Sequence, residues 1–266
     1  VLPDTLHLDA TKTALERGKH ILLEKPIASN MADAKQILDL AEQSNRVFMV
    51  AHILRHMPQH SLAQQRIAGG EIGDIVHIAA RRNSTIAGAR AYSSHHTDTS
   101  VHLMVHDIDY INWIVASKVN KVFAKARQIL LRKYDMNDTV IAMLEYENGV
   151  IATLEACWIL PDNSPRELDD KIEVVGTKGT VYLDGICTGL EIISSANDRV
   201  EMPDTVAWPR INDTIGGSIF EEIVSFVNCM IKGTKPLVGA CEAYQALRVV
   251  DAIQRSISQG GEITLL

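Results

Sequence analysis

The hydrophobic periodicity changes once along the chain, and that change limits the fold more than any single motif does. Up to Ala51 the apolar residues alternate between helical and extended spacing. Leu6, Ala10, Ala14 and Leu15 predict a helix over Thr5 to Arg17, stopped by Gly18, a residue suited to a left-handed C-terminal position. His20 to Leu23 then reads as a strand running into Glu24-Lys25-Pro26, because Pro26 biases Lys25 away from helical backbone. Ser29 or Asn30 is placed to cap a second helix with Ala34, Ile37, Leu38 and Ala41 as its apolar stripe, and Arg46 to Ala51 is strand-like again. Helix, strand, helix, strand at this pitch is the pattern of a parallel sheet covered by helices, of which only a part is expected here.

After Pro58 the pattern is different. A helix is expected through Ile67, then a break at Gly69-Gly70, a strand over Asp74 to Arg82 and a polar stretch from Asn83 to Thr99 that is long for a plain connector. A helix from Ser100 to about Ala116 follows. Beyond it the repeat is two: Val140, Ala142, Leu144 and Tyr146 share a face, Asn148-Gly149 is a hairpin signal, and Val150 to Trp158 returns. Gly176-Thr177-Lys178-Gly179 marks another turn, and helices are expected over Gly217 to Ile231 and Cys241 to Ser258. The fold class expected is therefore α/β plus α+β. The C-terminal portion of a Rossmann-type parallel sheet, residues 1–54, precedes a mainly antiparallel open-sheet domain with helices on one face, residues 55–266.

Composition narrows the function. A net charge of -7 argues against nucleic acid, whose phosphates need clustered Lys and Arg. Cys157, Cys187, Cys229 and Cys241 are widely spaced with no CxxC pair, which points to reduced thiols rather than a zinc ribbon or a disulfide framework. There is no apolar run long enough for a spanning helix and no basic segment followed by an apolar one at the N-terminus, so no membrane partner is expected and the chain is placed in the cytoplasm.

Glu24-Lys25-Pro26 after its strand, preceded by Leu15-Glu16-Arg17-Gly18-Lys19-His20, resembles the most recognisable motif of the Gfo/Idh/MocA oxidoreductases. Leu54-Arg55-His56-Met57-Pro58, Gly70-Glu71-Ile72-Gly73-Asp74, His106-Asp107-Ile108-Asp109 leading to Trp113, and Val174-Val175-Gly176-Thr177-Lys178-Gly179 resemble further family segments in the same order. The resemblance implies an NAD(P)-dependent dehydrogenase acting on a sugar, inositol or related polyol. It also implies that the chain begins partway through the nucleotide-binding domain. By resemblance Lys25 and His106 are the catalytic pair, the lysine beside the nicotinamide ribose and substrate hydroxyl and the histidine as acid or base. Those roles suit the chemistry, since an imidazole accepts a proton near neutrality and an ammonium stabilises developing alkoxide charge. Glu24, Lys25 and Pro26 are the expected cofactor contacts; His102, Arg55, His56 and Asp109 are the expected substrate contacts.

Two departures from the family pattern stand out. No GxGxxG phosphate loop occurs in the sequence, so NAD or NADP is expected to bind this chain weakly or not at all. Where many family members carry an aspartate four residues before the catalytic histidine, this chain has His102. On a regular helix His102, His106, Asp109 and Trp113 share a stripe. His95, His96, His102 and His106 also keep a metal-dependent hydrolase open as a rival, although no metal ligand is assigned, and a non-catalytic oligomeric ligand-binding remnant is the other alternative. His52 and His60 complete a second histidine group with Arg55 and His56, with His60 expected in solvent. A homo-oligomer, dimer or tetramer, is expected because the alternating strands leave an apolar sheet face.

Overall fold

The computed structural model describes residues 2–93, 97–195 and 200–265. Helix α1 (His7–Glu16), strand β1 (Ile21–Glu24), helix α2 (Met31–Gln43) and strand β2 (Phe48–Ala51) come first. The two strands pair in parallel, Ile21 opposite Phe48 and Glu24 opposite Ala51. Asn30 caps α2, its Oδ1 accepting from the Asp33 N–H at 2.9 Å, an interaction worth about 1 kcal/mol. Ala34, Ile37 and Leu38 are the buried face of that helix, as the periodicity predicts.

A 3-10 turn (Ile53–His56) leads into α3 (Pro58–Ala68), β3 (Ile75–Thr85) and α4 (Ile86–Tyr92). A π turn (Ser100–Met104) then opens α5 (Val105–Val115). The remaining elements are β4 (Val119–Arg127), β5 (Thr139–Tyr146), β6 (Ile151–Leu160), β7 (Leu168–Gly176), β8 (Thr180–Asp184), the small hairpin β9 (Arg210–Ile211) and β10 (Thr214–Ile215), α6 (Ser218–Lys232), α7 (Ala240–Gln259) and β11 (Ile263–Thr264).

Seven strands form one sheet in the order β11-β4-β5-β6-β3-β7-β8. Only β3 with β6 is parallel among these pairings. The expected mainly antiparallel sheet is thus observed, and Gly149 supplies the left-handed φ of +84° at the predicted β5–β6 turn. One face carries Val122, Ala124, Val140, Ala142, Leu144, Ala152, Leu154, Ile172 and Val174, all buried, with α7 packed on β4 and α5 on β3. Each fully buried Val, Leu or Ile contributes roughly 1.5–3 kcal/mol. The opposite face leaves Phe123, Ile141, Met143, Ile151 and Tyr182 exposed.

The polar stretch from Asn83, too long for a plain connector, begins with regular structure. β3 runs on to Thr85 and α4 follows directly. Arg82 and Asn83 are polar but buried, paired with Asp107 and Glu155, so polarity there marks internal ion pairing rather than solvent. His60 is also not in solvent: it is 2% exposed and its ring meets Tyr110 edge-on at 4.8 Å. His95 and His96 lie outside the described residues. Among the described residues no helix is long and apolar enough to cross a membrane.

Candidate active site

The parallel pair β1–β2 delivers Lys25 to a cleft between its carboxyl end and the large sheet. Pro26, joined to Lys25 by a cis peptide bond, is buried, and its carbonyl accepts a hydrogen bond from His7 Nδ1 at 3.0 Å. That contact ties the Glu24-Lys25-Pro26 loop to α1. Lys25 reaches across the cleft and donates from Nζ to the carbonyl of His102 at 3.0 Å. The π turn widens the backbone just before α5, so His102 and His106 both line the cleft, while Asp109 does not. The expected four-residue stripe is therefore split.

His106 is partly exposed, yet its Nδ1 is buried with no hydrogen-bond partner among the described residues. Burial holds its pKa well below the ordinary histidine value, and the positive charges of Lys25 and Arg82 add to the effect. The imidazole is neutral at pH 7 and free to accept a proton. Burial likewise lowers the Lys25 ammonium to about 8, partly opposed by the Glu24 carboxylate. Lys25 thus remains mostly charged at neutral pH, close to the range where it titrates.

His102 is held by aromatic contacts. Its ring stacks on Trp158 at 4.7 Å and 15°, and meets Tyr92 at 4.1 Å. Trp158 is fully buried on β6, so the stack is anchored in the sheet. Where a carboxylate would present acceptors only, this position presents an imidazole backed by two aromatic rings.

Two arginine–aspartate pairs fix α5. Arg82 on β3 donates to both oxygens of Asp107 at 2.8 and 2.9 Å and lies 3.4 Å from Asp170. Arg55 on the 3-10 turn donates to both oxygens of Asp109 at 2.7 and 2.8 Å and stacks over Trp113 at 5.1 Å. Asp107 directly follows His106, so the first clamp sets where the imidazole stands. Arg55 and Asp109 are 4% and 0% exposed and satisfy each other. Arg55 borders a separate hollow beside Trp113, and Asp109 is absent from the lining of the cleft. The expectation that these two touch substrate finds no support in their placement; they position α5. His56 is half-buried on the same turn, lowered to about 4 by burial and the adjacent Arg55, and does not line the cleft either.

The cleft has a volume of about 800 Å³, within the range of small-molecule sites. Arg82, Tyr92, Trp158 and Glu222 line it and were not among the sequence candidates. Only Glu222 carried a local signal, a carboxylate on the same helical face as Ser218 and Cys229, where burial requires an explanation. Among the described residues no group of three or more His, Cys, Asp or Glu side chains is arranged to hold an ion; His95 and His96 of the metal rival lie outside them.

Comparison with known proteins decides the family. A family model described as "Oxidoreductase family, C-terminal alpha/beta domain" matches residues 64–265, and one described as "Oxidoreductase family, NAD-binding Rossmann fold" matches residues 1–52. The chain belongs to the Gfo/Idh/MocA oxidoreductases. Within this family, scyllo-inositol 2-dehydrogenase (NAD(+)) of Bacillus subtilis is 22% identical over all of this chain and 76% of its own length. Myo-inositol 2-dehydrogenase of Thermotoga maritima is 21% identical over 97% of this chain and 76% of its own. Two solved structures share the fold. Myo-inositol 2-dehydrogenase of Lactobacillus plantarum superposes with a TM-score of 0.84 at 22% identity, covering 100% of this chain and 79% of that one. Scyllo-inositol dehydrogenase of Lactobacillus casei, solved with NAD(H) and scyllo-inositol, gives 0.82 at 21%, covering 99% and 78%. As a member of this family the chain is an NAD(P)-dependent oxidoreductase by resemblance.

Proposed function

We propose that this Gfo/Idh/MocA member oxidises a secondary hydroxyl of an inositol, sugar or related polyol, with His106 as proton acceptor and Lys25 as the cation at the reacting oxygen. The observation that carries this reading is the meeting of the two groups in one cleft: Lys25 is anchored on the His102 carbonyl, and the unpartnered Nδ1 of His106 lies one turn further on. A nicotinamide cofactor supplies the hydride acceptor when bound, and Glu24, Lys25 and Pro26 are the residues we assign to its nicotinamide end. Orphaned buried polar atoms on His106 and Glu222 beside this loop fit a polar ligand there.

In this scheme the neutral imidazole takes the hydroxyl proton as the carbon–hydrogen bond breaks. The Lys25 ammonium donates to the oxygen as its charge grows, which is where preorganised charge lowers a barrier most. His102, stacked on Trp158, meets another part of the substrate and sets a preference different from that of relatives with an aspartate there. Residues 1–54 are assigned to cofactor binding and residues 55–266 to substrate binding and assembly. We further assign the protein to the cytoplasm as a homo-oligomer.

The test joins this chain to the nucleotide-binding half of a family relative and follows cofactor reduction with cyclitols and sugars. Oxidation of at least one, abolished by His106→Ala, is the expected result. A folded chimaera that binds cofactor and turns over none of them removes the reading.

A further inference from the structure

Glu222 lies on the inner face of α6, 4% exposed, and its Oε1 has no hydrogen-bond partner among the described residues. Its helix packs on the Ile53–His56 turn, so the side chain is carried by rigid structure. It lines the same cleft as Glu24, Lys25 and His106. A buried carboxyl oxygen left without a partner among the described residues is costly, and such atoms are kept where a ligand supplies the missing partner.

Burial, reinforced by the Glu24 carboxylate, pushes the Glu222 carboxyl up to about 8. At neutral pH it is an uncharged acid, able to donate through its hydroxyl, next to a Glu24 carboxylate that only accepts. An anionic ligand group is repelled by Glu24, and a cationic one gains nothing from a neutral acid. Two neighbouring hydroxyls match, one donating to Glu24 and the other accepting from Glu222. We propose that Glu222 is a ligand-contacting residue of this cleft and that, with Glu24, it recognises a vicinal diol. The proposal rests on the dehydrogenase reading above, and the diol has two sources there: the ribose of the nicotinamide half of the cofactor, or the polyol.

Nuclear magnetic resonance titrations of this chain with nicotinamide mononucleotide and with scyllo-inositol separate them. At pH 7, Glu222→Leu is expected to weaken one probe about tenfold, the scale of one lost hydrogen bond to a buried partner, while Glu222→Gln, which keeps a neutral donor, stays within about threefold. The probe that weakens identifies the source. Wild-type affinity for that probe falls as pH rises through about 8, and the Gln variant loses this component. Lys25 titrates in the same range in both proteins, and His56 and His106 are neutral throughout, so the difference between the two profiles belongs to Glu222. If Glu222→Leu binds both probes as tightly as wild type, the proposal fails while the dehydrogenase reading stands. If wild type shifts with neither probe at millimolar concentration, the proposal fails, and the dehydrogenase reading is decided separately by the chimaera. Melting curves of the two variants confirm that they are folded.

Discussion

The Lys25 ammonium donates a 3.0 Å hydrogen bond to the backbone carbonyl of His102, bridging 77 positions of sequence and joining the end of β1 to the turn that opens α5. Because His106 stands one turn beyond that carbonyl, the bond sets the distance between the two groups assigned to proton transfer. Substitution of Lys25 therefore removes a charge and also loosens the element carrying the base.

In a cofactor-competent chimaera, Lys25→Ala and His106→Ala are each expected to lower kcat by about two orders of magnitude or more. The pH profile follows from the two shifts. His106 is depressed well below 6.5, so it is ready to accept a proton throughout the neutral range. Lys25 loses its charge through about 8, so kcat/KM is expected to be flat near neutrality and to fall above that point. A profile rising through pH 8 would instead make Lys25 the base.

The Arg55 and Asp109 pair is assigned to structure. Asp109→Ala leaves a buried guanidinium unpaired, and an urea titration is expected to show a loss of about 3–5 kcal/mol. The double substitution Arg55→Met with Asp109→Leu should recover most of that stability, since the cost lies in the orphaned charge. A stable Asp109→Ala variant with a raised KM would return this residue to substrate contact.

His60 makes stability pH-dependent. Burial lowers it to about 3, below the value it takes when unfolded, so its contribution is complete above about 6.5 and is lost as pH falls from there toward 3. The slope is roughly 1 kcal/mol per pH unit for this residue. His60→Phe should flatten that part of the curve measured by urea unfolding between pH 7 and 5; an unchanged slope would show that His60 is not buried neutral.

The outer sheet face presents Phe123, Ile141, Met143, Ile151 and Tyr182 among charged neighbours such as Lys125, Glu145 and Glu173. A second copy covering it is expected, and sedimentation should give at least a dimer at micromolar concentration. Ile141→Lys is then expected to shift the population toward monomer. A wild-type chain that sediments only as monomer ends this assignment.

The 266-residue chain itself is expected to bind NAD and NADP more weakly than micromolar, because the sequence contains no GxGxxG loop to offer backbone N–H groups to the pyrophosphate. Calorimetric titration with both cofactors checks this. Micromolar or tighter binding would show that other backbone groups do that work.

Periodicity alone carried α2, the β5–β6 hairpin and the two closing helices to within a few residues, because each rests on local spacing and on capping or turn residues. Lys25 and His106 were legible for another reason: each sits inside a short motif whose order along the chain matches the family. What the sequence could not separate was the polar residues that face a ligand from those that face one another. Arg55 and Asp109 read as substrate contacts, and tertiary structure made them one internal clamp and Arg82 with Asp107 another, since pairing depends on which elements meet 25 and 54 positions apart. The same blindness hid Glu222, whose significance comes from being buried near Glu24 with its Oε1 unpartnered among the described residues, a relation that exists only once α6 folds back over the turn at Ile53–His56.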